Sequence, residues 1–216
     1  SRPLDAGSVA DSYRSYVSLL RDDVGADVHI LARPVEMPES VPFADQRAPI
    51  RYSRDDAARC WRALAQAARV FKEFRGRFLG KCSPVHFWWG GFDLACTRFN
   101  GARAPEHPGG IPNLADWVTG EADSHACISA GWWPGTPGQY EEPAFYSYAY
   151  PEPAGFAEAT VKPAEARYDM TLREWLLPYD AVRVAEDPDA MLLDFLQSTY
   201  EAAATLAGWD RAALER

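Results

Sequence analysis

Apolar and polar residues follow two periods along this chain, and the switches between them divide it into elements. Val9, Tyr13, Tyr16, Val17 and Leu20 recur at helical spacing behind Ser8 and Asp11, a pair spaced like a capping box, and Gly25 ends the run. This predicts an amphipathic helix. Asp27 to Arg33 alternates around Val28, Ile30 and Leu31 and reads as a strand, whereas four prolines between Pro34 and Pro49 demand an irregular crossing. Ser53 with Asp56 caps a second helix whose apolar stripe is Ala57, Trp61, Leu64, Ala68, Phe71, Phe74 or Arg75, and Phe78, with arginines on the opposite face. It is the longest helical pattern and the one expected to cover a sheet.

From Val85 to Phe99 the period becomes that of a strand, interrupted by Gly90-Gly91. Two geometries are open. A two-residue hairpin turn at the glycines pairs Trp89 with Phe92, sets Trp88 opposite Asp93 and places His86 diagonally from Asp93 on one sheet face. A continuous or bulged strand, the reading preferred here because paired glycines also mark bulges, sends His86 and Asp93 to opposite faces and puts His86 on the side of Arg98. Arg103 to Pro112 is a Pro/Gly loop around His107, and Asn113 starts a short helix through Leu114, Trp117, Val118 and Glu121. Ser124–Trp133 and Ala144–Tyr150 then read as an antiparallel pair, with Tyr146, Tyr148 and Tyr150 on one face.

Thr171 and Glu174 open a short helix through Trp175 and Leu176 that Pro178 stops, and Asp187-Pro188 starts a longer one along Met191, Leu192, Phe195, Leu196, Thr199, Ala203 and Leu206, closed by Gly208. Strands gathered in the middle with helices on either side predict an α+β fold, a largely antiparallel sheet with helices packed mainly on one face. At 216 residues and 47% apolar content, with no long polar linker, one domain is expected.

Composition removes several functions. The net charge is -9, and from Glu141 to the end fifteen acids face six bases, a field that repels nucleic acid. Between Arg51 and Lys81 nine bases face three acids, a stretch that suits a solvated helix face better than an anion site. Neither a membrane-length apolar run nor a signal peptide is visible, which points to a cytoplasmic protein. Cys60, Cys82, Cys96 and Cys127 form no C-x-x-C pair and read as reduced, mostly buried thiols.

Candidate chemistry concentrates between Pro84 and Pro153, where His86, His107 and His125 are interleaved with large aromatics and glycines, the composition of a lined small-molecule pocket. His125, His107, Glu121, Asp93 and His86 are the candidate catalytic groups, and Arg98, Trp88, Trp132, Tyr146 and Tyr148 the candidate substrate contacts. A histidine oriented by Asp93 or Glu121 would act as a general base, with Ser124 or Ser129 as a neighbouring hydroxyl. His107, His125 and a carboxylate could instead hold a divalent metal, although no H-E-x-x-H motif is present. Glu121 and His125 carry their own test: one turn apart on a helix they can share a ligand, but in a strand they lie roughly 13 Å apart. The absence of a G-x-S-x-G elbow disfavours the common serine hydrolases. Three functions follow: a hydrolytic or isomerising enzyme, a non-catalytic small-molecule binder, or a protein-interaction module.

The runs Phe78-Leu79-Gly80-Lys81-Cys82-Ser83-Pro84-Val85-His86-Phe87, Phe92-Asp93-Leu94-Ala95, Thr97-Arg98-Phe99, Ser124-His125, Pro143-Ala144-Phe145-Tyr146 and Leu196-Gln197-Ser198-Thr199-Tyr200-Glu201 together resemble an uncharacterised bacterial family, a domain of unknown function, over nearly the whole chain. The resemblance implies histidines at 86, 107 and 125 and acids at 93 and 121 as family features. It implies no activity. Gly91 departs from it, because the family more often places Ser there. It also implies a further segment upstream of Ser1, so that the chain is expected to be a trimmed form whose sheet edge is open to self-association or to a separate N-terminal fragment.

Overall fold

The computed structural model describes residues 7–37 and 40–216. The described residues fall into two compact units, those within 1–62 and 110–115, and those within 63–109 and 116–216.

In the smaller unit, helix α1 spans Val9–Ser18 and starts as its spacing requires. The Ser8 hydroxyl accepts from the Asp11 amide at 3.1 Å while the Asp11 carboxylate accepts from the Ser8 amide at 2.9 Å. Residues 27–33, expected as a strand, join no sheet among the described residues, and Val28 and Leu31 are exposed. Alternation signals a strand only where a neighbouring strand pairs with it, and here Val28 and Leu31 meet water while Ile30 is half-buried.

Helix α2, Arg54–Gly76, is capped by the Ser53 hydroxyl, which accepts from the Asp56 amide at 3.2 Å. In the larger unit, strands β1 (His86–Trp88) and β2 (Asp93–Arg103), helix α3 (Asp116–Ala122), and strands β3 (His125–Trp133), β4 (Ala144–Tyr150), β5 (Arg167–Asp169) and β6 (Glu174–Pro178) follow. Helices α4 (Tyr179–Arg183), α5 (Pro188–Leu206) and α6 (Arg211–Leu214) complete the chain. The strands make one six-stranded sheet, ordered β1-β2-β3-β4-β6-β5, and every neighbouring pair is antiparallel. The α+β expectation holds.

Two expectations are corrected. Trp88 pairs with Asp93 and His86 with Ala95, so Gly90-Gly91 lies in a hairpin and not in a continuous or bulged strand. The loop is Trp89–Phe92, two residues longer than the tight turn considered, and its left-handed position falls on Phe92 (φ 60°). Residues 174–178 are strand β6 and not a helix. A short apolar run fits either element. The choice follows from the Asp169 carboxylate, which accepts from the amides of Thr171 at 2.8 Å and Leu172 at 2.9 Å and folds a tight turn that sends the chain back beside β5.

Alternation along the strands gives the sheet two unlike faces. Leu94, Cys96 and Arg98 of β2, Trp132 of β3 and Phe145 of β4 share one face, on which the second half of α2 and α5 pack through Phe71, Phe74, Phe195 and Tyr200. The opposite face carries Asp93, Ala95 and Thr97 of β2, Ser129 and Gly131 of β3, Tyr146 and Tyr148 of β4, and Glu174 and Leu176 of β6.

Candidate functional site

Chemistry-bearing side chains converge on this second face. Gly131 lies between Ala95 and Tyr146 in the pairing order, and a Cβ there would overlap the Tyr146 ring. Without it the phenol lies flat across β3 and donates to the Asp93 carboxylate on β2 at 2.5 Å. Tyr148 stacks on Tyr146 with ring centroids 6.2 Å apart, and the Thr97 and Ser129 hydroxyls meet at 2.9 Å beneath them. Trp133 and Tyr140, stacked at 5.9 Å, and Leu172 wall the cluster.

Burial sets the electrostatics. Desolvation pushes the Asp93 carboxyl up, and the hydrogen bond from Tyr146 only partly opposes it. Glu174 is pushed up to about 8, chiefly by burial and then by the charges of Asp169 and Asp93. Tyr146 and Tyr148 are raised for the same first reason, burial, so both remain protonated phenols. Near neutral pH Glu174 is thus close to its own midpoint, and the Asp93 carboxyl is shifted in the same direction.

The sequence candidates are distributed unevenly. Asp93, Tyr146 and Tyr148 form the cluster itself. His86 and Trp88 share the face through β1, but the His86 ring packs edge-on against Trp88, 4.7 Å between centroids, and not on Asp93. Arg98 and Trp132 belong to the helix-covered face: Arg98 is fully buried, and Trp132 packs against Tyr179 at 6.2 Å. His107 lies by Tyr150, 5.2 Å between rings, and its Nδ1 accepts from the Gly109 amide at 3.0 Å. The carboxylate it meets electrostatically is Asp123, which also accepts from the Cys127 thiol at 3.6 Å. Glu121 and His125 share no element, because α3 ends at Ala122 and β3 begins at His125. Between them the Ser124 hydroxyl donates to the Glu121 carbonyl at 2.7 Å and lies 3.1 Å from His125 Nδ1. Among the described residues no three His, Cys, Asp or Glu side chains are grouped to hold a metal ion.

Glu174 is the residue that sequence reasoning misses. Its signal is the alternation of Glu174 and Leu176 against Trp175 and Leu177, hidden when the segment is read as helical. A shallow groove of about 480 Å³ elsewhere, lined by Lys162, Ser198, Glu201, Thr205 and Arg211, holds none of the candidates. Its guanidinium is already engaged by Glu215 and Glu201.

A family model spanning residues 1–216 matches the whole sequence. The chain belongs to a family of unknown function, DUF5996. The long runs around His86, Asp93, Tyr146 and Tyr200 that carry the sequence resemblance are thus segments of a DUF5996 protein, and the Asp93–Tyr146 pair lies within them. No curated protein and no solved structure matches the chain. Among the described residues no helix is long and apolar enough to cross a membrane.

Proposed function

We propose that the face carrying Asp93, Tyr146 and Glu174 binds a neutral or cationic small molecule and exchanges a proton with it, the two carboxyls acting as acid and base in an isomerising or hydrolytic reaction. The observation that carries this reading is the Tyr146 phenol laid across Gly131 onto Asp93, a tyrosine–carboxylate bond joining two non-adjacent strands on a partly open face. A phenol in that position holds the carboxylate's orientation while leaving its second oxygen for a ligand. Aromatic side chains supply apolar walls, and the Tyr140 hydroxyl, on a ring packed against the cluster, is buried without a hydrogen-bond partner among the described residues. Asp93, Asp169 and Glu174 make the strands acidic on this side, which disfavours anionic ligands. His86 and Trp88 would act at the edge and not as a His/Asp couple. A second reading, binding without catalysis, is favoured by the aromatic pairs, Trp133 with Tyr140 and Tyr146 with Tyr148, whose flat faces can extend a stack onto a ligand.

The test is a titration of isotope-labelled protein with aromatic amines and with carboxylates of the same ring, following the Trp133 indole signal. Amines are expected to shift it and to bind at least ten-fold more weakly to Asp93→Asn, while the carboxylates leave it unmoved. Equal binding of both series, or unchanged amine binding by folded Asp93→Asn and Tyr146→Phe, would overturn the proposal.

A further inference from the structure

On the helix-covered face a second reactive arrangement stands apart from the carboxyl cluster. Cys82 faces Arg98 across an isolated antiparallel bridge, held by the Ser83 amide donating to the Thr97 carbonyl at 2.8 Å and the Phe99 amide donating to the Lys81 carbonyl at 2.9 Å. Cys96 precedes Arg98 by two residues on the same face, so the two cysteines are diagonal neighbours, and their Sγ atoms lie 3.4 Å apart. Cys96 is fully buried, whereas Cys82 is partly exposed. The Arg98 guanidinium and Arg75, whose Nε donates to the Ser83 carbonyl at 2.7 Å, surround the pair with positive charge.

We propose that Cys82 and Cys96 are a peroxide-reactive thiol pair that closes to a reversible disulfide. Cys82 is the attacking group. The hydrogen bond from Cys96 holds its thiol below the ordinary range, with Arg98 and Arg75 adding to this against the effect of burial, while that same bond and burial push Cys96 up and keep its proton on. The Cys82 thiolate attacks one oxygen of hydrogen peroxide; the S–O bond forms, the O–O bond breaks and hydroxide leaves, giving a sulfenic acid. The Cys96 sulfur then attacks the Cys82 sulfur; the S–S bond forms, the S–O bond breaks, and the departing hydroxide takes the Cys96 proton as water. The pair loses two electrons and peroxide gains them. Diagonal neighbours sit farther apart than a relaxed disulfide prefers, so closing the bond pulls residues 81–83 against their bridge to β2, and a thiol such as glutathione reverses it.

A single tryptic peptide, Cys82 to Arg98, contains both cysteines and neither Cys60 nor Cys127. The full-length chain is treated with hydrogen peroxide, alkylated under denaturing conditions and digested. The expected product is this peptide lighter by two hydrogen atoms and closed to alkylation, returning to two alkylated thiols after glutathione. Cys96→Ser is expected to accumulate a sulfenic acid at Cys82 that dimedone traps, with several-fold more adduct than wild type, and Cys82→Ser leaves Cys96 a thiol. Cys82 remaining reduced at peroxide doses that oxidise free cysteine, its direct oxidation to sulfinic acid with Cys96 still alkylated, or equal dimedone labelling of wild type and a Cys96→Ser protein with native circular dichroism would each overturn the proposal.

Discussion

Strand β2 buries an ionisable group on each face of the same sheet, and the two are treated in opposite ways. Arg98, under the helices, stays charged: its guanidinium lies 3.4 Å from the Phe74 ring centroid, 4.2 Å from Tyr200 and 5.1 Å from Phe78, and one amino group donates to the Phe74 carbonyl. Burial pushes it down only to about 10. Asp93 and Glu174, on the other face, are instead driven toward the protonated form. Aromatic rings present a negative face, so they can solvate a flat, delocalised cation but not a carboxylate. Burial among aromatic residues that stabilises the arginine therefore pushes the acids toward their neutral form. One face keeps a buried charge within its packing, and the other neutralises it.

The comparison can be broken most forcefully at the arginine. Arg98→Ala, which leaves a cavity among three aromatic rings and takes from the Phe74 carbonyl one of its two donors, the Arg77 amide remaining, is expected to cost about 3–5 kcal/mol in urea unfolding. Arg98→Met, which fills the space without charge, should cost far less; a loss below about 1 kcal/mol for the alanine variant would mean that the cation is not held by its aromatic cage. On the opposite face, Gly131→Ala forces Tyr146 off the sheet and should cost about 2–3 kcal/mol, with loss of the Asp93 hydrogen bond seen in the tyrosine hydroxyl signal. Retention of that signal in the variant would show that the glycine is not what admits the phenol.

The smallest effect sharpens the contrast through pH. Glu174 titrates near the ordinary glutamate value of 4.5 in the unfolded chain and at about 8 in the folded one, so unfolding releases its proton between those values. Its contribution to stability is present at low pH, declines as pH rises through this window and is flat above it. Glu174→Gln keeps a neutral group throughout, and its stability relative to wild type should increase by roughly 1–2 kcal/mol from pH 5 to pH 9, allowing for partial solvation of the carboxyl. Thermal or urea unfolding at the two pH values measures it, and a change of the opposite sign would show that the carboxyl is ionised and satisfied when folded.

Much of the fold was legible in the chain. Ser8 with Asp11, Ser53 with Asp56, and Asp187 with Pro188 each announce a helix start through a local hydrogen bond, and the structure contains all three. The period-two pattern from Ser124 to Trp133 and from Ala144 to Tyr150 likewise became β3 and β4 in register. Residues 27–33 and 174–178 depart from their periodicity because a short apolar run takes its structure from its neighbours, which periodicity does not reveal. The site was legible only in part. Asp93, Tyr146 and Tyr148 stand out as residues, but their meeting needs Gly131 beneath the ring, and Glu174 reaches them from a strand that pairs with β4 across a long stretch of sequence.

The sequence by itself determined the local elements and which side chains share a strand face, because caps, turns and alternation act over a few residues. Tertiary structure decided which face the helices would cover, and therefore that Arg98 and Trp132 became core while Asp93 and Glu174 met on the opposite face. Strand order and helix packing depend on contacts between residues distant in sequence, and whether a charge is kept or neutralised depends on what finally surrounds it.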